Sequence, residues 1–182
     1  MRVISGDARG TRLETLEGED TRPTVDRVKE GIFSAVHFAL PGSMVLDLFA
    51  GSGQMGIEAL SRGAKSCVFI DQNREATDII QKNLRSAHLF EKARVASTSA
   101  ESFAAMCKDK FDIVFLDPPY NNGTISAILP MVEKLVSEGG TVICETELSA
   151  ELPSQCGKLQ MAKQYKYGKV LVTRYKFEED ML

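Results

Sequence analysis

The chain has 182 residues, of which 43% are hydrophobic and 26% are charged, and its formal net charge is −3. These values are typical of one soluble globular domain, and the net acidity excludes a protein that is basic over its whole surface. No apolar leader follows Met1, and no apolar run approaches the roughly 18 residues that a membrane span needs, so we expect a cytoplasmic protein without membrane contact.

The first predicted elements are a short hairpin and a helix. Residues 2–5 and 11–13 flank two glycines and predict a small β-hairpin. After a polar stretch, Thr24 is typical of a helix N-cap. The apolar residues that follow recur at helical spacing, and Pro41-Gly42 predicts the end of this helix.

From residue 43 onward, short apolar runs alternate with helical patterns. The predicted strands are 44–49, 67–70, 93–97, 112–116 and 141–144, and the predicted helices lie near 54–62, 73–88, 100–107 and 124–136. This alternation predicts a parallel sheet covered on both faces. Residues 158–166 and 169–177 then predict an antiparallel hairpin at the sheet edge. Ligands of such sheets bind at the carboxyl ends of the strands, so we expect the site in the loops there.

The first predicted strand leads into a glycine-rich loop. Gly51 and Gly53 belong to a G-x-G-x-x-G pattern, and Asp71 ends the second strand. The pattern alone is compatible with NAD. Asp47, at the end of the first strand, favours S-adenosylmethionine, because a carboxylate there would repel a pyrophosphate but attract a sulfonium and an ammonium. Asp71 would accept hydrogen bonds from the two ribose hydroxyls of either cofactor.

Both carboxylates also have purely structural interpretations. Asp47 would then accept a hydrogen bond from a loop amide. Asp71 would cap the helix that begins near Asn73.

The fourth predicted strand ends in Asp117-Pro118-Pro119-Tyr120. Two prolines fix the backbone and remove two amide donors, which leaves the Asp117 carboxylate and the Pro118 carbonyl as acceptors for an –NH₂ group. Tyr120 would stack on the base that carries this amine, an interaction worth roughly 1–3 kcal/mol. Positioning and electrostatics would carry the reaction, with no metal or covalent intermediate. The alternative is a rigid turn without chemistry.

Two segments are locally basic. Residues 1–12 contain three arginines and one acid, and residues 158–176 contain six Lys and Arg residues and no acid. Each segment is either a solvated hairpin face or a surface for nucleic-acid phosphates. We favour the N-terminal arginines, Arg2, Arg9 and Arg12, as the RNA contact, with the C-terminal lysines keeping an edge strand soluble.

Four segments together resemble a known family. Two of them resemble motifs I and IV of class I amino-methyltransferases: DLFAGSGQMGIEALSRGA (47–64) and DPPY (117–120). Two others are similar to the N-terminal signature of the bacterial 16S ribosomal RNA guanine-N2 methyltransferases: RVISGDARGTRL (2–13) and TRPTVDRVKEGIF (21–33). The N-terminal block is the more specific of the two resemblances.

This resemblance implies a Rossmann-like fold with a seven-stranded, mostly parallel sheet whose strand 7 is antiparallel. It divides the chain into a hairpin extension (1–22) that contacts RNA and a methyltransferase domain (23–182). S-adenosylmethionine would be the methyl donor, and N2-methylguanine in 16S rRNA the product. The partner would be 16S rRNA or the small ribosomal subunit during its assembly, and the enzyme would be a monomer.

The motif match also assigns individual residues. The cofactor positions are Asp47, Phe49, Gly51, Gly53, Asp71, Gln72, Ser99, Ala100 and Asp117. The catalytic loop is Asp117 to Tyr120, and Arg22, Thr24 and Tyr120 join the three N-terminal arginines as RNA contacts. The chain departs from the family pattern at Gln54-Met55, where a small residue and Leu are usual, and at Ser99, where Asp is usual.

Three other functions compete with this interpretation. A related enzyme acting on adenine N6 or on another amine would share every motif from 47 to 120 and lack only the N-terminal signature. An NAD-dependent oxidoreductase is disfavoured by Asp47 and by the DPPY loop. A non-catalytic RNA-binding module would not need an intact DPPY loop.

Overall fold

The computed structural model describes residues 1–16, 24–118 and 123–178, and within these ranges the strands form one eight-stranded sheet. The helices are α1 (Thr24–Ala35), α2 (Gln54–Ser61), α3 (Arg74–Ser86), α4 (Ala100–Met106) and α5 (Thr124–Glu133). The strands are β1 (Met44–Asp47), β2 (Ser66–Asp71), β3 (Ala93–Ser97), β4 (Phe111–Leu116), β5 (Val136–Glu147), β6 (Gln155–Cys156), β7 (Leu159–Tyr167) and β8 (Val170–Phe177). Short 3₁₀ turns lie at His37–Ala39 and Phe90–Lys92.

The strand order is β3-β2-β1-β4-β5-β8-β7-β6. Strands β1 to β5 run parallel, and β8 lies antiparallel between β5 and β7. The direction of winding reverses between β1 and β4, which are neighbours. The loops that follow these two strands therefore open into one crevice, the usual ligand position in such sheets.

The predicted class of fold is confirmed, with corrections at several boundaries. The sheet has eight strands rather than seven, because Gln155–Cys156 turns back at Gly157 and pairs with β7. Helix α1 ends at Ala35, before the predicted stop, and a 3₁₀ turn follows it. Val136 belongs to β5 rather than to α5, because it pairs with Phe111 of β4.

Each face of the sheet packs a separate hydrophobic core. The N-terminal hairpin and helices α1, α2 and α3 cover one face, and α4 and α5 cover the other. Both faces of the inner strands β1, β2 and β4 are thus buried, which explains why these strands are nearly continuous apolar runs in the sequence, whereas β3 at the sheet edge has no fully buried residue. Among the described helices, none combines the length and apolarity of a membrane span.

The N-terminal hairpin is an integral part of the first core. It is joined by a single bridge between Arg2 and Arg12, and it buries three apolar side chains, Val3, Ala8 and Leu13. Its turn contacts the last residue of α2, because the amides of Asp7 and Ala8 donate to the carbonyl and the hydroxyl of Ser61. The predicted extension over 1–22 is described only as far as residue 16.

A buried carboxylate joins this hairpin to two helices. Glu58 of α2 has no exposed surface, and its oxygens accept hydrogen bonds from the amides of Ile4 and Ser5 at 2.8 and 3.0 Å. The Lys29 ammonium of α1 lies 3.4 Å from the same carboxylate, and the Arg62 guanidinium lies 2.8 Å from it. Burial lowers the pKa of Lys29, and the charge of Glu58 opposes that shift. Two cations and two amides thus compensate one buried anion.

Replacing Glu58 with Gln should destabilise the fold strongly. The substitution leaves the charge of Lys29 buried without a counter-charge, and it places the amide donor of Gln next to the donors that Glu58 binds. We therefore expect a loss of about 3–5 kcal/mol in the free energy of unfolding. Denaturant titration measures this loss. The exposed Glu91→Gln serves as the control and should change the unfolding free energy by less than about 0.5 kcal/mol. Equal midpoints for the two variants would contradict the role given to Glu58.

Candidate active site

The loop after β1 depends on its glycines. Gly51 and Gly53 have φ values of 54° and 80°, in the left-handed region that favours glycine. A Cβ on Gly53 would also lie 3.0 Å from a side-chain carbon of Ile80 in α3. A Cβ on Gly56 would lie 2.3 Å from the Phe69 ring, so the third glycine lets α2 pack closely on β2. The pattern therefore serves both the loop and the helix packing behind it.

Asp71 holds this loop in place from the end of β2. One of its carboxylate oxygens accepts the Gly51 amide at 2.9 Å, and the other accepts the Asn73 amide at 2.8 Å. Asn73, not Asp71, caps α3, because its side chain accepts the Glu75 amide. An ionised carboxylate has about four acceptor positions, so Asp71 retains two for a ligand.

Asp47 lies beneath the same loop. Its side chain is only 2% exposed, and one carboxylate oxygen accepts the Gly56 amide at 3.0 Å. The pKa of Asp47 is raised to about 7, chiefly by burial; the Gly56 hydrogen bond opposes the rise, and the charge of Asp71 contributes to it. The bond to Gly56 is the structural role that the sequence left open as an alternative. The raised pKa also makes this carboxyl responsive to a cation bound nearby.

Two buried polar atoms in the glycine loop have no hydrogen-bond partner in the described part of the chain. They are the Ser52 hydroxyl and the side-chain carbonyl of Gln54. Buried polar atoms are normally paired, so such atoms point to a missing partner. Gln54 is the first residue of α2 and lies in the chain between Gly51 and Gly56, whose amides donate to Asp71 and Asp47. An amide carbonyl at this position suits a ligand that donates hydrogen bonds and carries positive charge, and it disfavours a pyrophosphate. No sequence motif assigned a role to Gln54, although Gln in place of the usual small residue was a signal that this position differs from the family pattern.

The remaining predicted cofactor residues differ in their surroundings. Phe49 is half-buried against the core beneath α4 and α5, and Gln72 is exposed. Ser99 caps α4, since its hydroxyl accepts the Ser102 amide at 3.1 Å, and Ala100 is buried. Within the described ranges, no group of His, Cys, Asp and Glu side chains could hold a metal ion.

The second loop begins beside the first. The Leu48 amide, just after β1, donates to the Phe115 carbonyl of β4 at 3.2 Å. Asp117 and Pro118 follow β4 directly, with Asp117 exposed and Pro118 buried. The two predicted loops thus leave neighbouring strands at the same edge of the sheet. Pro119 and Tyr120 lie outside the described residues.

The structure brings two of the three N-terminal arginines together and places the third apart from them. Arg2 and Arg12 face each other across the bridge, and Arg2 lies 3.9 Å from Asp26 in the first turn of α1. Arg9 lies in the hairpin turn, which contacts the end of α2 farthest from the glycine loop, roughly 12 Å along an eight-residue helix. Arg22 lies outside the described residues, and Thr24 is described only as the first residue of α1.

Comparisons with known proteins agree with this geometry. The family model described as "Conserved hypothetical protein 95" matches residues 1–176. A Bacillus subtilis protein named "Putative rRNA methyltransferase YlbH" is 40% identical over 181 residues, which cover 97% of this chain and 98% of that protein. The Escherichia coli protein named ribosomal RNA small subunit methyltransferase D is 31% identical over 98% of this chain and 90% of its own.

Solved structures extend the comparison to the fold. The structure titled "Putative methyltransferase yhhF from Escherichia coli" has a TM-score of 0.86 and 30% identity, over 99% of each chain. An RNA methyltransferase from Salinibacter ruber, solved with S-adenosyl-L-homocysteine, has a TM-score of 0.67 at 15% identity, over 90% of this chain and 95% of its own, and shows a likeness of fold alone. The chain therefore belongs to the "Conserved hypothetical protein 95" family, together with relatives named as ribosomal RNA methyltransferases, and it has the Rossmann-like fold of class I methyltransferases.

Proposed function

We propose that this chain transfers a methyl group from S-adenosylmethionine to the exocyclic N2 of a guanine in 16S rRNA. The observation that carries the proposal is the adjacency of the glycine loop after β1 and the Asp117-Pro118 loop after β4. A donor site and an amine site on neighbouring strands bring the two reactants together. The names of the Bacillus and Escherichia relatives support rRNA as the substrate, and the N-terminal signature supports guanine N2.

At the cofactor end, the chain supplies acceptors. S-adenosylmethionine provides a methyl group activated by its positively charged sulfur. Asp71 accepts hydrogen bonds from the ribose hydroxyls through its remaining lone pairs, while it continues to hold the Gly51 amide. The unpaired carbonyl of Gln54 accepts from an N–H donor of the ligand, and ionised Asp47 adds negative charge beneath the loop.

At the substrate end, the chain orients an amine. The lone pair of an exocyclic guanine nitrogen is delocalised into the ring, so the nitrogen is a weak nucleophile. Acceptors at the Asp117 carboxylate and the Pro118 carbonyl would hold both hydrogens and direct the lone pair outward. A paired and stacked guanine cannot reach them, so the base leaves its stack and lies against Tyr120. The substrate is 16S rRNA or the assembling small subunit, and the enzyme acts as a cytoplasmic monomer.

The product distinguishes guanine N2 from the alternative, adenine N6, since the same two acceptors would hold either amine. Mass mapping of 16S rRNA from cells that lack the protein should show the loss of one methylguanine, and the purified protein should restore it. A missing methyladenine would instead support the alternative.

Replacing Asp117 with Ala should abolish most turnover and leave cofactor binding mostly intact, because the carboxylate acts chiefly on the target amine. We expect kcat to fall by about 100-fold or more. Asp117 is exposed, so folding should be preserved. The exposed Asp109→Ala, near the opposite edge of the sheet, is the control. Methylation of rRNA within about threefold of wild type would contradict the assigned role.

Replacing Asp71 with Ala should weaken S-adenosylmethionine binding by about 1.5–3 kcal/mol, because the ribose loses a charged acceptor and Gly51 loses its hydrogen bond. Calorimetric titration measures the change. Asp78→Ala, exposed on α3, should bind the cofactor as the wild type does. Unchanged affinity in Asp71→Ala, or tighter binding of NAD than of S-adenosylmethionine by the wild type, would overturn the cofactor assignment.

Cofactor binding should depend on pH through Asp47. With its pKa near 7, this carboxyl is protonated below neutral pH and must lose its proton to interact with a cation. Affinity should therefore rise with pH up to about 7, by at most tenfold per pH unit, and level off above it. Asp47→Asn should remove this component of the pH dependence. Identical affinity profiles for Asp47→Asn and wild type between about pH 6 and 8 would show that Asp47 does not sense the ligand.

A further inference from the structure

The hairpin formed by β7 and β8 rises above the end of β4. Leu116, the last residue of β4, pairs with Cys144 of β5, which pairs with Thr173 of β8, which in turn pairs with Gln164 of β7. The residues from 165 to 172 therefore lie beyond the level at which the Asp117 loop begins. Because each residue of a strand advances about 3.3 Å, the turn at Gly168 lies roughly 13 Å beyond Gln164 along the strand direction. Measured across the sheet, the turn is two to three strands, or about 10–14 Å, from β4.

Two cations are paired directly across this hairpin. Lys163 and Arg174 are opposite each other in the antiparallel ladder, so their side chains share one face of the sheet. The Nε of Arg174 is buried and has no hydrogen-bond partner in the described part of the chain. No ion pair found within the described residues includes either side chain. Opposed like charges and an unpaired buried donor both cost stability, and a bound anion would relieve both.

The surroundings of this pair favour a nucleic-acid backbone over a lone anion. The Lys163 ammonium lies 5.1 Å from the centre of the Tyr165 ring, and Tyr165 and Tyr167 are half-buried on the same face. Lys166 and Lys169 are exposed near the turn. The neighbouring acids, Glu145 and Glu147 of β5, pair with Val172 and Val170 of β8, so they lie on the strand next to Arg174 and two strands from Lys163. Both tyrosine rings pack against the core beneath α1, with the Tyr167 hydroxyl beside Gly31, so they support the basic face rather than stack on bases. Several exposed lysines spread along one hairpin suit the repeated phosphates of an RNA strand better than a single anion.

We propose that the β7–β8 hairpin binds the phosphates of the rRNA strand next to the target nucleotide, with Lys163, Lys169 and Arg174 as its main contacts. This inference rests on the proposed function and identifies the surface that holds its substrate. It assigns the larger share of RNA binding to the C-terminal hairpin, whereas the sequence favoured the N-terminal one. Their positions favour the C-terminal hairpin. The turn at Gly168 lies on the side of the sheet where the loops after β1 and β4 open, whereas Arg9 lies near the end of α2 farthest from the glycine loop.

The test compares Lys163→Gln/Lys169→Gln with wild type in filter binding of a 16S rRNA transcript over a range of salt concentrations. Each lost phosphate contact should reduce the log–log salt slope by about 0.7–0.9, and the KM for rRNA should rise. S-adenosylmethionine affinity should not change. Because Lys163→Gln removes one member of a like-charge pair, the thermal midpoint should stay equal or rise, the opposite of what a structural role for this lysine predicts. Arg174→Gln should weaken RNA binding in the same direction.

The matched control is Lys92→Gln/Lys108→Gln, two exposed lysines near the amino ends of β3 and β4, at the opposite edge of the sheet. It removes the same charge and should leave the slope nearly unchanged. If both double variants lowered the salt slope equally, the loss of net charge alone would explain the effect, and the proposal would be overturned. A lower thermal midpoint of Lys163→Gln/Lys169→Gln with an unchanged salt slope would also overturn it. So would unchanged binding of the naked transcript combined with lost methylation of small subunits, which would indicate an acidic protein surface as the partner.

Failure of the proposed function would look different. In that case the wild type would methylate neither rRNA nor subunits, while the binding assay would still report separately on the hairpin.

Discussion

The packing of the N-terminal hairpin, α1 and α2 on one face of the sheet depends on the buried carboxylate of Glu58. It lies in the first turns of α2, directly after the glycine loop, and it binds the N-terminal hairpin, α1 and α2 at one point. A single uncompensated charge at this depth would be costly, so the hairpin amides, Lys29 and Arg62 must all be in place together. The first sixteen residues are thereby coupled to the loop that faces the ligand, and the hairpin belongs to the methyltransferase core rather than extending from it as a free arm.

Burial differentiates the two carboxylates at the crevice. Asp71 is partly exposed, holds two loop amides and keeps acceptor positions for a neutral partner such as a hydroxyl. Asp47 is enclosed, and its pKa near 7 leaves its charge dependent on what binds above it. In the function we propose, the same type of residue would serve as an acceptor at one position and, at the other, as a charge that a cationic ligand induces. The unpaired carbonyl of Gln54 would add a third acceptor in this proposal, and the three together would select for hydrogen-bond donors and positive charge.

The distribution of charge in the fold reconciles an acidic chain with an anionic substrate. The net charge is −3, yet residues 158–176, which include most of the C-terminal hairpin, contain six Lys and Arg residues and no acid. The antiparallel return of β8 beside β5 brings this hairpin to the edge where the loops after β1 and β4 open. The antiparallel direction of β8 therefore places a basic segment from the end of the sequence next to the site. Lys176, at the other end of the hairpin, donates a hydrogen bond to the Gly139 carbonyl.

The sequence by itself determined the layered α/β fold, the positions of the five parallel strands and the two loops of the site, because buried strands and glycine turns leave local patterns. The sequence did not reveal the eighth strand at Gln155–Cys156, because two residues are too few to leave a pattern. It also placed Val136 in a helix, because the pairing of Val136 with Phe111 joins segments distant in the chain. Nor could it show that Glu58 is buried among four donors from the N-terminal hairpin, α1 and α2. Those facts depend on which segments become neighbours, and only the tertiary structure decided them, because burial and opposed charges arise between residues distant in the chain.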